Sequence, residues 1–236
     1  MKKIFYSILA ATALMFSSCS DDDKLADITP AAEGTVEDSD GNVYNWVRIG
    51  DQDWTTSNAR NGESFTEAEY FDGFEWKKVF KKSRRKALLA EFVPVHGNLM
   101  TYDEALKSAP EGWRLPTDED WQKLERTLGM KNTSDRGMRG LNGVGFKMQE
   151  SDAGCKLGLS AAGMMLREKS FGMFKFKLDY TDEYGMFWTS TVDTESTVED
   201  ETMAFYRKIT PANAGVGRDS MNGGQYLSVR WVRDSK

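Results

Sequence analysis

One histidine and two cysteines in 236 residues exclude several kinds of chemistry at once. A lone His96 supports neither a His-rich metal centre nor a nucleophile–base relay, and Cys19 with Cys155 makes neither a four-cysteine zinc site nor a disulfide framework. No Gly-Lys-Ser/Thr phosphate loop and no dinucleotide fingerprint occurs. Basic residues are in the minority: 31 Lys+Arg against 37 Asp+Glu leave a net charge of −6, which argues against nucleic acid as a partner. Nor is there an apolar run long enough to span a bilayer; the longest, Ile4 to Phe16, has 13 residues. The 28 aromatics (seven Trp, eight Tyr, thirteen Phe) and 39% apolar content are those of a chain that builds a core.

The start of the chain reads as an address. Met1-Lys2-Lys3 is a basic leader to the apolar run, as in a secretory signal, and Ser17-Ser18-Cys19 follows. This resembles a bacterial lipobox, so residues 1–18 are expected to be a signal peptide and Cys19 the site of lipid attachment. The resemblance implies contact with the membrane through a lipid anchor. Ser20-Asp21-Asp22-Asp23 resembles the acidic export signal of Bacteroidetes lipoproteins, which implies the outer membrane, facing the exterior. Residues 20–40 carry eight acids against Lys24, with Pro30 and Gly34 and no hydrophobic period. Residues 19–39 are therefore expected to form an acidic tether.

From Asp40-Gly41 the pattern changes. Residues 43–49 alternate as a strand, with Val43, Val47 and Ile49 on one face and Tyr44, Trp46 and Arg48 on the other. Gly50-Asp51 predicts a hairpin turn into a second strand carrying Trp54. Two short helices are predicted, each from a capping box: Thr101 with Glu104, and Thr117 with Asp120. In the second, Trp121, Leu124 and Leu128 form one stripe and Gly129 is the stop. Glycine-rich loops occupy 137–145 and 154–163. Strands are predicted at 185–192, 203–209 and 226–232, the last after an Asn222-Gly223-Gly224 turn, with Leu227, Val229 and Trp231 inward. The fold class is α+β, one domain over 40–236, with short antiparallel strands and long loops.

Four blocks stand out in order: Asp40-Gly41-Asn42-Val43-Tyr44 running on to Val47-Arg48-Ile49-Gly50-Asp51-Gln52-Asp53-Trp54; Pro110 to Trp121; Phe187 to Thr191; and Leu227 to Asp234. Together they resemble the Fibrobacter succinogenes major paralogous domain family. That resemblance implies a C-type-lectin-like fold and leaves the biochemical role open. The family often carries cysteines where this chain has Ala109 and Trp231; the packing of Trp231 over Ala109 is expected in place of a bridge. The Gly112-to-Thr117 run also resembles the formylglycine-generating enzymes, but their copper-binding cysteine pair has no counterpart here. The calcium-lectin signatures Glu-Pro-Asn, Gln-Pro-Asp and Trp-Asn-Asp are absent, and Asp179, Asp182 and Glu183 are expected to be solvated acids.

The most distinctive local feature is a basic insert. Lys77, Lys78, Lys81, Lys82, Arg84, Arg85 and Lys86 place seven positive charges in ten residues beside Trp76, Val79 and Phe80. These seven are the candidates for binding an anionic ligand; the competing reading is a solvated segment that covers the core. Cys155 is expected to be a buried, inert thiol. No catalytic residue, cofactor or metal ligand emerges, and the oligomeric state cannot be read. The expectation is a surface lipoprotein whose domain binds glycan or another surface protein. The alternative is a structural subunit of an outer-membrane or fimbrial assembly.

Overall fold

The computed structural model describes residues 25–62, 90–170, 173–196, 198 and 201–235. These build a mixed α+β unit with ten strands, all paired antiparallel, in three sheets. The first sheet has the order β1 (Glu33–Glu37), β2 (Val43–Ile49), β3 (Gln52–Thr55) and β10 (Val232–Asp234), so the last strand closes beside an early one. The second has the order β4 (Gly137–Arg139), β9 (Asn213–Asn222), β8 (Met203–Thr210) and β7 (Gly185–Val192). The strands β5 (Met164–Ser170) and β6 (Met173–Asp179) form a hairpin of their own. Helical residues 90–96 (α1) precede α2 (Tyr102–Ala105), α3 (Asp118–Thr127) and α4 (Val144–Gln149).

Local chemistry explains the clearest elements. The hairpin β2–β3 turns on Gly50, whose positive φ of 61° suits a residue without Cβ. Helix α3 opens with a complete capping box: Thr117 accepts from Asp120 N, and the Asp120 carboxylate takes the Thr117 N–H, an arrangement worth about 1 kcal/mol. Its stripe of Trp121, Leu124 and Leu128 is fully buried, and Gly129 ends it at φ 102°. The box expected at Thr101 does not form; Thr101 makes no side-chain cap, and α2 is a single turn whose Tyr102 N–H goes to Gly223 O. The helix count also exceeds the two expected: α4 starts at Gly143 with no side-chain cap to announce it, and residues 90–96 are helical as well.

The folded unit begins earlier than residue 40. Leu25 and Ile28 pack against the main core, Ala26 N–H donates to Leu128 O, and Glu33–Glu37 pair with β2 as an edge strand. Much of the segment expected as a tether is thus part of the domain. Its acid Asp38 is structural, accepting from Tyr44 Oη at 2.6 Å and from the backbone N–H groups of Asp40 and Asn42.

The core holds most of the tryptophan. Trp54, Trp121 and Phe187 stack in tilted pairs, with centroids 4.8 and 5.9 Å apart. Trp113, Trp188 and Trp231 form a second cluster with Leu227 and Val229, and Ala109 packs at its border. Cys155 is fully buried, its thiol raised by burial, as expected of an inert side chain.

Charge is buried here as well. Arg207, fully buried on β8, donates to Glu125 at 2.7 Å and Asp118 at 2.6 Å. Arg218 and Arg139 complete the cluster on Asp118 and Glu125, joining helix α3 to the second sheet. Arg230 differs: it sinks into the interior, with no carboxylate within ion-pair distance among the described residues. Asn58 Oδ1 and the carbonyls of Thr55, Leu157 and Gly158 accept its five-donor fork at 2.6–2.8 Å.

Candidate functional site

The outer face of the first sheet carries the site. Register places Arg48 opposite Asp53 and Asp53 opposite Arg233, so three charges line up across β2, β3 and β10. The row beneath, Val47, Trp54 and Val232, points into the core, as the two-residue period requires. Asp53 is buried between its two arginines, with Arg48 Nε at 2.6 Å and Arg233 Nε at 2.9 Å. Burial alone raises its carboxyl, but the two guanidiniums outweigh that and hold it below the ordinary value.

Fixed in this way, Arg233 spreads its guanidinium over two indoles, 4.6 Å from the Trp113 centroid and 4.9 Å from that of Trp46. The indoles are 6.3 Å apart. Each such cation–π contact contributes about 0.5–2 kcal/mol, depending on how dry it is. Trp46 also lies against the backbone of β1: a Cβ at Gly34 would come within 2.5 Å of the indole, so glycine is what allows that approach. Its Nε1 donates to Thr35 O.

Two open clefts flank this stack. One, of about 490 Å³, is lined by Glu33, Thr35, Asn45, Trp46, Thr56 and Lys156, among others. The other, of about 400 Å³, is lined by Glu111, Gly112, Trp113, Arg114, Arg233 and Asp234. Of the six tryptophans in the described residues, five are buried; Trp46 alone is half-exposed. Register puts Glu33, Thr35 and Asn45 on the Val47 side of the sheet and the Trp46 side chain on the other, so the first cleft gathers amide, hydroxyl, ammonium and carboxylate groups at the edge of Trp46. Pockets of that make-up orient polar ligands over an apolar floor.

The residues singled out from the sequence fare differently. Cys19 and the seven basic residues from Lys77 to Lys86 lie outside the described residues. Asp179 pairs with Lys177 at 2.6 Å, and among the described residues no three His, Cys, Asp or Glu side chains converge as a metal site. His96 lies 4.7 Å from the Phe92 ring, its Nδ1 buried without a hydrogen-bond partner among the described residues. The Trp46–Arg233–Trp113 stack was not anticipated. The one signal for it was the alternation that put Trp46 and Arg48 on the face opposite Val47 and Ile49.

Fold and site together define a mixed α+β domain that offers aromatic-walled, polar-rimmed clefts at its surface. The sequence profile of the Fibrobacter succinogenes major domain matches residues 47–233, and the chain belongs to that family. Comparison with curated proteins and with solved structures returned no match.

Proposed function

We propose that this chain is a lipoprotein anchored through Cys19 at the outer face of the outer membrane. Its C-type-lectin-like domain binds glycan in the cleft at Trp46. The observation that carries the reading is the cleft of about 490 Å³ in which Asn45, Thr56, Glu33 and Lys156 gather at the edge of Trp46. The open edge of the indole supplies an apolar contact for a pyranose ring, and the surrounding side chains supply donors and acceptors for its hydroxyls. The lipobox-like Ser17-Ser18-Cys19 and the acidic run behind it support the anchor. Several acyl chains on one residue hold a protein at a membrane, at roughly 0.8 kcal/mol per buried CH₂.

Two measurements test the two halves. Cells grown with labelled palmitate should yield labelled protein that external protease removes, and a Cys19→Ala chain should carry no label. The detergent-solubilised chain should give reproducible signals on a glycan array, reduced at least about tenfold in Trp46→Ala, as loss of that apolar contact implies. A blank array with stoichiometric co-purification of outer-membrane proteins would replace the glycan reading with that of an assembly subunit.

A further inference from the structure

Leu25, the first described residue, is packed on the domain, with Cδ1 2.9 Å from where a Cβ on Gly143 would lie. The described chain therefore starts beside the loop that runs from β4 into α4. Only residues 20–24 separate that point from Cys19. Six residue steps span at most about 20 Å even when fully extended. An acyl group on Cys19 would thus hold this face of the domain close to the lipid, with no long stalk between them.

The same face carries an unusual group of side chains. Nine large apolar residues are exposed among the described residues, and three of them, Met138, Leu141 and Phe146, fall within nine positions. Leu141 is 65% and Phe146 47% exposed, values that would cost little in isolation but are concentrated here. Met138 and Leu141 both overlie Gly215, where an added Cβ would meet Met138 Cγ at 2.9 Å and Leu141 Cδ2 at 3.0 Å. They form one continuous apolar surface. Phe146 follows on α4, the helix that starts at Gly143 under Leu25.

We infer that this surface is a membrane seat. Met138, Leu141 and Phe146 enter the headgroup–acyl boundary of the outer leaflet, and the lipid on Cys19 enters beside them. The inference rests on the anchored-lipoprotein reading and adds an orientation to it. The short leash between Cys19 and Leu25 selects lipid as the occupant, because it keeps the patch at the membrane whenever the anchor is inserted.

A single introduced thiol reports on it, because Cys155 is fully buried and Cys19 is acylated. The acylated full-length chain would carry a nitroxide at Leu141→Cys or Phe146→Cys and be reconstituted on vesicles of phosphatidylcholine and phosphatidylethanolamine. Val192→Cys is the reference, since Val192 is exposed at the end of β7, the opposite edge of the second sheet from β4. On vesicles, collision of the Leu141 and Phe146 labels with a water-soluble nickel chelate should fall at least about threefold, and with dissolved oxygen should rise, as burial some 5–10 Å deep requires. The Val192 label should stay in water. Labels at 141 and 146 that are as nickel-accessible as that at 192, in protein that sediments with the vesicles, overturn the seat and leave the anchor standing. Spin–spin broadening between Leu141 labels that is lost when the sample is reconstituted with excess unlabelled protein of the wild-type sequence would mean contact between copies at this patch, and also overturns it. Protein that lacks acyl chains and stays in the supernatant overturns the anchor, and the seat with it.

Discussion

Replacing Arg230 by Met should be among the most damaging single substitutions in this domain, although it removes a charge from a dry site. Burial draws the guanidinium down to about 9, so the interior disfavours its charge. Four oxygens oppose that: Asn58 Oδ1 and the carbonyls of Thr55, Leu157 and Gly158, each within 2.8 Å of a guanidinium nitrogen. Met fills a similar volume and satisfies none of them. A buried acceptor left unpaired costs about 1–3 kcal/mol, so the four together set a ceiling near 12 kcal/mol, and relaxation with water entry brings the expected loss to about 3–5 kcal/mol. A domain of this size loses roughly 2–4 °C of Tm per kcal/mol, so the melting temperature should fall by about 6–20 °C. Arg230→Lys should lie between the two, since an ammonium has three donors and cannot span three chain segments. Thermal and urea unfolding followed by tryptophan fluorescence would measure it. If Arg230→Met melts within 2 °C of the wild type, the guanidinium is not the tie between the end of β3 and the 157–158 loop, and the reasoning fails.

The buried pair around Asp118 predicts an acid limb. Burial raises its carboxyl, but Arg218 and Arg207 more than offset this and hold it at about 2 against 3.8 unfolded, so its contribution of about 2 kcal/mol is complete above pH 4 and lost as pH falls through 2. Urea midpoints at pH 7, 4 and 2.5 should show that loss, and Asp118→Asn should be less stable at pH 7 with a flatter fall below pH 4; an unchanged slope would count against the assignment. Trp231→Ala removes a fully buried indole from the second cluster and should cost about 3–5 kcal/mol, read as a fall in Tm of several degrees; no change would mean that Ala109 and Trp231 do not stand in for a bridge.

Elements whose reasons are local were legible, and those held by distant partners were not. Strand β2, its Gly50 turn, β7 and helix α3 announce themselves by alternation, turn chemistry or a capping box, and each forms where expected. Strand β9 does not: Asn-Ala-Gly-Val-Gly-Arg-Asp-Ser-Met-Asn has little alternation and two interior glycines, yet it is paired on both sides, by β4 and β8. Its backbone bonds, not its side chains, make it a strand. The run 226–232 failed in the opposite sense. Leu227, Val229 and Trp231 do point inward, but only isolated bridges to Met100, Met165 and Phe187 form there, and the ladder β10 begins at Val232. Strand β1 was hidden by its charge: Glu33, Thr35 and Glu37 face solvent while Gly34 and Val36 sit closer in, an alternation with one apolar member. Charged edges of that kind discourage pairing with other chains.

The site was harder to read because the blocks that identify the family are largely joints between strands and loops. Gln52 Nε2 donates to Asp120 at 3.0 Å, Asp118 N–H to Thr191 Oγ1 at 2.9 Å, and Trp188 N–H to Ser228 O at 3.1 Å, so each block is tied to another. Arg114 clamps Asp120 with both terminal nitrogens and bonds Val232 through its backbone, which fastens the Gly-Trp-Arg-Leu-Pro-Thr run to the last strand. A motif read as chemistry is here mostly a way of closing the chain on itself, and its enzyme-like look follows from dense polar pairing in a small space. Among the described residues, the surfaces outside these joints include one edge of Trp46, the outer rim of the Arg233 stack, and the Leu141–Phe146 surface beside Leu25. Ligand selectivity should therefore track residues outside the joints. Exchanging Asn45 and Thr56 should alter binding at the first cleft while leaving Tm within about 2 °C, as surface substitutions away from caps and cores do.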